Sequence, residues 1–262
     1  MKFQYLAFIR WKARFVIRGL LFLFVLSAPV QAEEVRVAVA ANFLVSLKEI
    51  SALFEQETGH KVLISSGSTG KLYAQVTNGA PFDVFLSADV QHPKLLEDGG
   101  FIVPGSRFVY AVGRLTLWSP DPDRVKNSGV ETLRAKNFRH LALANPKIAP
   151  YGKAALQVLQ GLGIWDELVP LIVQGEDIGQ TFQFVTTQNA ELGFVALSQI
   201  LASNNTKKGS RWDVPANLYE PINQEAALLK LGQKNRAALA LLEYLRGTKA
   251  GKIIERAGYG LK

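Results

Sequence analysis

Four short segments gather small, hydroxyl-bearing or amide residues where an apolar run gives way to helical periodicity. They are Ala41-Asn42 before Phe43, Ser68-Thr69-Gly70 before Lys71, "NPKIAPYGK" at 145–153 before Ala154, and "GEDIGQ" at 175–180. The first turn of a helix leaves N–H groups without intrahelical partners and carries the positive end of the helix dipole. A strand end followed by such a turn is therefore a place to hold an anion. The stretch "ISSGSTGKLYAQV" (64–76) adds three serines and a threonine and contains no carboxylate. Asn, Ser and Thr are also the preferred helix caps, so each segment alone is explained by capping. Taken together, the four suggest convergence on one cleft outside the carboxyl ends of a sheet.

Other chemistries fit poorly. "GSTGKL" (67–72) lacks the spacer between glycines that a nucleotide P-loop needs, and Leu72 stands where a Mg²⁺-binding hydroxyl is required. The three histidines, His60, His92 and His140, lie far apart at element boundaries, where exposure is expected, and no Gly-x-Ser-x-Gly elbow accompanies them. Scattered histidines do not make a metal site, and the absence of cysteine removes thiol catalysis, disulfides and cysteine metal ligands. Asp83 and Asp89, across one short strand, read as capping or hydrogen-bonding groups rather than a catalytic pair. Catalytic and metal-ligating residues are thus expected to be none, and the chain is not expected to be an enzyme.

The net charge of +8 over 262 residues would suggest an acidic partner, but its location argues otherwise. Residues 1–32 hold Lys2, Arg10, Lys12, Arg14 and Arg18 and no acid, then run into "GLLFLFVLSAPVQA". A basic start, an apolar stretch and a Val-x-Ala end form a secretory signal peptide, with cleavage expected after Ala32. The remainder carries 25 basic and 22 acidic residues, which leaves little basis for a nucleic-acid partner. The apolar run is short for a spanning helix, so a soluble periplasmic protein is expected.

The elements that must position the four segments alternate. "VRVAVAAN" (35–42) reads as a buried strand, and Phe43, Leu47, Ile50 and Phe54 trace one helical stripe closed by Gly59. "KVLISS", a helix to Gly79, the strand "DVFLSA" (83–88) and a helix closed by Gly99-Gly100 follow. After the long apolar stretch "RFVYAVGRLTLWS" comes a second set: strand 141–145, a helix from Gly152, strand 170–174, helix 178–190 and strand 192–197. A return strand is expected within 220–232, then helices 234–246 and 248–257. Such alternation predicts α/β layers with a mostly parallel sheet in each of two lobes. The expected division is lobe I at 33–112 and 221–262, and lobe II at 113–220.

The ordered blocks "VRVAVAANFLVSLKEI", "SSGSTGKLYAQVTNGAPFDVFLSAD", "NPKIAPYGKAALQ" and "GEDIGQTFQFVTTQNAELGFV" resemble the molybdate-binding proteins of molybdate ABC transporters, from about Val35 to Lys262. The resemblance implies a two-lobed periplasmic binding protein of type II with its ligand in the inter-lobe cleft. It implies capture of molybdate and tungstate, delivery to an ABC permease, a monomer and no cofactor; a receptor of the same fold for sulfate or another tetrahedral oxyanion is the alternative. By position, the implied oxyanion donors fall on Ala41, Asn42, Thr69, Tyr151 and Ile178, with Ser68 beside them. Two departures stand out. Ala196 occupies a position that is tyrosine in some members, so the Tyr151 hydroxyl is the expected replacement. Asn42 stands where others carry serine and is expected to present its amide nitrogen.

Overall fold

The computed structural model describes residues 32–125, 128–202 and 209–261. The expected signal peptide lies outside them except for Ala32. Within Glu33–Lys262, two five-stranded sheets share one compact body.

The first sheet has the order β2-β1-β3-β10-β4, with β1 at Glu34–Ala40, β2 at Lys61–Gly67, β3 at Val84–Leu86, β4 at Phe108–Gly113 and β10 at Ile222–Leu228. Strands β2, β1 and β3 are parallel, while β10 runs antiparallel to both β3 and β4. The second sheet has the order β7-β6-β8-β5-β9, with β5 at Leu115–Ser119, β6 at Leu141–Ala144, β7 at Ile172–Gly175, β8 at Leu192–Ala196 and β9 at Ser210–Asp213. It repeats the plan: β7, β6 and β8 are parallel, and β5 is antiparallel to β8 and β9. Each sheet is thus a mixed α/β sheet with a three-stranded parallel part, as the alternation predicts.

Helix α1 (Leu44–Thr58) buries Leu47, Ile50 and Phe54 with no exposed surface, and Gly59 ends it at φ 75°, a left-handed conformation that suits glycine. Each such buried side chain contributes roughly 1.5–3 kcal/mol. Phe43, the first residue of the stripe, belongs to a 3₁₀ turn over Ala41–Phe43, so β1 stops two residues short of its expected end. Helices α2 (Thr69–Thr77) and α3 (Gln91–Asp98) complete the first βα set. The second set brings α4 (Gly129–Ala135), α5 (Pro150–Gly161), α6 (Trp165–Leu168), α7 (Ile178–Thr186) and α8 (Leu197–Ala202). The last two helices, α9 (Arg236–Arg246) and α10 (Thr248–Arg256), pack into the core of the first sheet beside Phe43, Leu47 and Phe54.

Several expectations are corrected. The apolar stretch at 107–118 is two strands that enter different sheets on either side of Arg114. The helix expected to reach residue 190 ends at Thr186, because Gln188 adopts φ 61°. His60 is buried at 7% exposure rather than lying on the surface: its Nδ1 accepts from the Glu33 N–H at 3.1 Å, and its ring stacks on Phe54. Asp83 and Asp89, by contrast, are the hydrogen-bonding groups expected, Asp83 accepting from the Arg36 N–H of neighbouring β1 and Asp89 from that of His92.

Candidate functional site

The four segments meet. One small cavity is lined by Ala40, Ala41 and Asn42 after β1, by Gly67, Ser68 and Thr69 after β2, by Ala149, Pro150 and Tyr151 at the start of α5, and by Asp177 and Ile178 at the start of α7, with Ala88 after β3. Each sheet therefore sends the ends of its parallel strands toward the same point. The cavity measures about 10 Å³, room for roughly one water, so the surrounding walls are closely drawn. Glycines permit that approach. A Cβ on Gly152 would lie 2.1 Å from the Ala144 carbonyl oxygen, and one on Gly70 would lie 3.1 Å from Ile148. A roomier hollow of about 440 Å³ near Asp121, Asp123, Arg124 and Glu131 is dominated by carboxylates and does not suit an anion.

Side-chain capping does not account for three of the four helix starts. Ser68 occupies the N-cap position of α2 with extended dihedrals, yet its side chain caps nothing, and the starts at Ala41 and Pro150 also lack a side-chain cap. The Ser68 hydroxyl is buried and has no hydrogen-bond partner among the described residues. Thr69, with no exposed surface, accepts from the Ala88 N–H at 3.1 Å, and its own proton is not used in that bond. At α7 a cap does exist: Asp177 Oδ1 accepts from Gly179 and Gln180 at 2.7 and 2.9 Å, which leaves the N–H of Ile178 outside the cap. Asp177 is a carboxylate at the cavity wall that was not anticipated as a site residue. Its capping bonds direct its charge into the helix start.

The side chain of Asn42 is placed differently from expectation. Its Nδ2 donates to Gln224 Oε1 at 2.9 Å and to the Tyr259 hydroxyl at 3.1 Å, so both amide hydrogens are engaged inside the protein. The Tyr151 hydroxyl likewise turns inward, accepting from Gln224 Nε2 at 3.2 Å beside Gly113, where a Cβ would fall 2.2 Å from it. Tyr110 donates to the same Gln224 Oε1 at 2.9 Å. Burial pushes the Tyr110, Tyr151 and Tyr259 hydroxyls upward in pKa, so all three stay protonated. Gln224, fully buried on β10, was missed in the sequence. Its one signal is a polar residue on the inward face that Ile222, Ala226 and Leu228 otherwise share.

Four bonds tie the two halves together around the cavity. Gly70 N donates to Ile148 O at 2.9 Å, Gln224 donates to Tyr151, Ser198 Oγ donates to Asn42 O at 3.3 Å, and Lys71 pairs with Glu176 at 3.0 Å on the exposed rim.

Comparison with known proteins identifies relatives of the chain as a whole. The model of a family described as bacterial extracellular solute-binding protein matches residues 35–260. The molybdate-binding protein ModA of Azotobacter vinelandii is 52% identical over 237 residues, covering 90% of this chain and 94% of that protein. Its counterpart from Rhodobacter capsulatus is 48% identical, covering 89% and 91%. The solved structure of the Azotobacter vinelandii periplasmic molybdate-binding protein superposes with a TM-score of 0.84 at 45% identity, over 87% of this chain and 99% of that one. With a two-sheet fold, a shared cavity and relatives of this identity over nearly their whole length, the chain belongs to the bacterial extracellular solute-binding proteins, in the group of periplasmic molybdate-binding proteins.

Proposed function

We propose that this protein captures molybdate, and tungstate with it, in the periplasm and hands it to the membrane permease of an ABC importer as a monomer. The observation that carries the reading is the convergence of uncapped helix starts from both sheets on one cavity that also holds the buried, unpartnered Ser68 hydroxyl. Among the described residues no helix is long and apolar enough to cross a membrane, in keeping with a receptor that needs a separate permease.

The donors we assign to the oxyanion are the backbone N–H groups of Ala41, Asn42, Tyr151 and Ile178 and the hydroxyls of Thr69 and Ser68. All are uncharged. A dianion taken out of water must recover its lost hydration from many donors at once. Hydrogen bonds to a charged partner contribute roughly 1.5–3 kcal/mol each, and helix starts add to them. Six such bonds, less the cost of ordering, are enough for the roughly 8 kcal/mol of micromolar binding. We take residues 33–112 with 221–262 as one lobe and 113–220 as the other. Closure of the two buries the ion and forms the face that the permease meets.

Titration of the processed protein with molybdate, tungstate and sulfate, followed by fluorescence of Trp118, Trp165 and Trp212, tests the reading. Saturable molybdate and tungstate binding with much weaker sulfate binding is expected. Sulfate binding as tight as molybdate, or no oxyanion binding, overturns it.

A further inference from the structure

The polar network beneath the cavity contains a mismatch. Asn42 Oδ1 is buried without a partner, and among the described residues the proton of the Tyr151 hydroxyl meets no acceptor. Both gaps close together if two amides turn over. With Asn42 and Gln224 inverted, Gln224 Nε2 occupies the present place of Oε1, 2.9 Å from Asn42 and 2.9 Å from the Tyr110 hydroxyl, and donates to both. Tyr110 then donates to the Ser87 carbonyl, 3.2 Å away. The Tyr151 proton gains Gln224 Oε1 as acceptor across the same 3.2 Å. Tyr259, which now donates to the Asn42 carbonyl at 2.7 Å, turns its proton to Asn42 Oδ1 at 3.1 Å and leaves that carbonyl to Ser198 at 3.3 Å. Every group is then paired except the Asn42 NH₂, whose two hydrogens are released on a residue that lines the cavity.

A buried NH₂ left unpaired is unfavourable, so the inverted arrangement needs an anion to accept from it. We propose that Gln224 is a positioning residue for the oxyanion. By turning over in concert with Asn42, it frees the Asn42 amide to donate to the ligand and converts the Tyr151 hydroxyl from acceptor to donor. Occupancy of the cavity is thereby linked to the Gln224–Tyr151 bond, one of those that join the two halves. This rests on the oxyanion reading above and extends it to a residue that touches no ligand. It also adds the Asn42 side chain to its backbone N–H as a ligand donor, despite the engagement of that amide in the present arrangement.

The test compares the wild type with Gln224→Met, Tyr151→Phe and the double variant, by molybdate titration and by thermal melting without ligand. Side-chain amide signals of ¹⁵N-labelled wild type are recorded before and after saturation with molybdate. Each single variant is expected to weaken binding about tenfold, the equivalent of one lost hydrogen bond to a charged group. The double variant is expected to be no weaker than the worse single, because both break one route. The Asn42 and Gln224 side-chain amide signals should both shift on saturation. Unchanged amide signals in a wild type that binds molybdate, or additive losses in the double variant, overturn the relay while leaving the oxyanion reading intact. Failure of the wild type to bind overturns both. Should Gln224→Met fail to fold, the amide spectra of wild type and Tyr151→Phe decide alone: a Gln224 signal that shifts equally in both refutes the coupling.

Discussion

Substituting Gly70 by alanine should weaken ligand binding without weakening the ligand-free fold. Gly70 lies in the first turn of α2, where its N–H reaches across to the Ile148 carbonyl at 2.9 Å. An added Cβ would sit 3.1 Å from the Ile148 Cα, Cβ and carbonyl oxygen alike. Ordinary contacts need a few tenths of an ångström more, and the obstacle is backbone rather than a side chain that can swing aside. The start of α5, with Tyr151, must therefore retreat from the start of α2, with Thr69. Loss or lengthening of the cross-sheet bond costs about 0.5–1.5 kcal/mol, and displaced donors add to this. A total of about 1–2 kcal/mol corresponds to roughly five- to thirtyfold weaker binding. Within its own helix the change is favourable, since alanine exceeds glycine by about 0.8–1 kcal/mol in helix propensity. Calorimetric titration with molybdate, paired with thermal melting of the ligand-free protein, separates the two effects. Undiminished affinity, or an affinity loss matched by an equal loss of ligand-free stability, would refute the reasoning.

Thr69→Ala removes a hydroxyl proton assigned to the ligand and should weaken molybdate binding by roughly 1–3 kcal/mol in the same titration. Gly152→Ala should lower the melting temperature of the ligand-free protein, because its Cβ would collide with the Ala144 carbonyl oxygen at 2.1 Å and neither backbone can yield freely. Burial raises the Glu191 carboxyl, but hydrogen bonds from the Arg139 guanidinium and the His140 N–H outweigh it and hold the pKa at about 2, below the usual carboxylate range. The charged form is thus favoured by folding: its contribution, on the order of 1–2 kcal/mol once solvent screening of the exposed Arg139 is allowed for, is present above pH 4.5 and disappears as pH falls through 2. Glu191→Gln should therefore lower stability at neutral pH and flatten its acid dependence, as read by urea titration at pH 7 and pH 3.

Much of this architecture was legible from periodicity alone. The stripe of Phe43, Leu47, Ile50 and Phe54 forecast a buried helix face, and glycine stops such as Gly59 marked helix ends, because these signals depend on neighbouring residues only. Pairing governed by distant partners was not legible: the division expected after residue 112 falls near the β4–β5 boundary, but nothing local announces that β10 inserts between β3 and β4. The same limit held at the cavity. Helix starts rich in Ala, Asn, Ser, Thr and Gly pointed to the lining residues, while the polar network under them escaped. Gln224, Tyr110 and Tyr259 come from three separate parts of the chain, and only the folded sheet brings them to Asn42. Ser68 was expected as a helix cap and, beside Thr69, as an oxyanion donor. Its free hydroxyl became apparent only with the backbone in place.

The placement of β10 bears on the order in which the two sheets can be made. Strands β5 to β9 lie in one uninterrupted stretch from Leu115 to Asp213, so the second sheet holds all of its own strands locally. The first sheet cannot join β3 to β4 until Ile222–Leu228 arrives between them, more than a hundred residues after β4 begins. Contacts of such long sequence separation form late in folding. Hydrogen-exchange labelling during refolding is therefore expected to protect the middle of the chain first and the cavity walls last, when the segment carrying Gln224 docks.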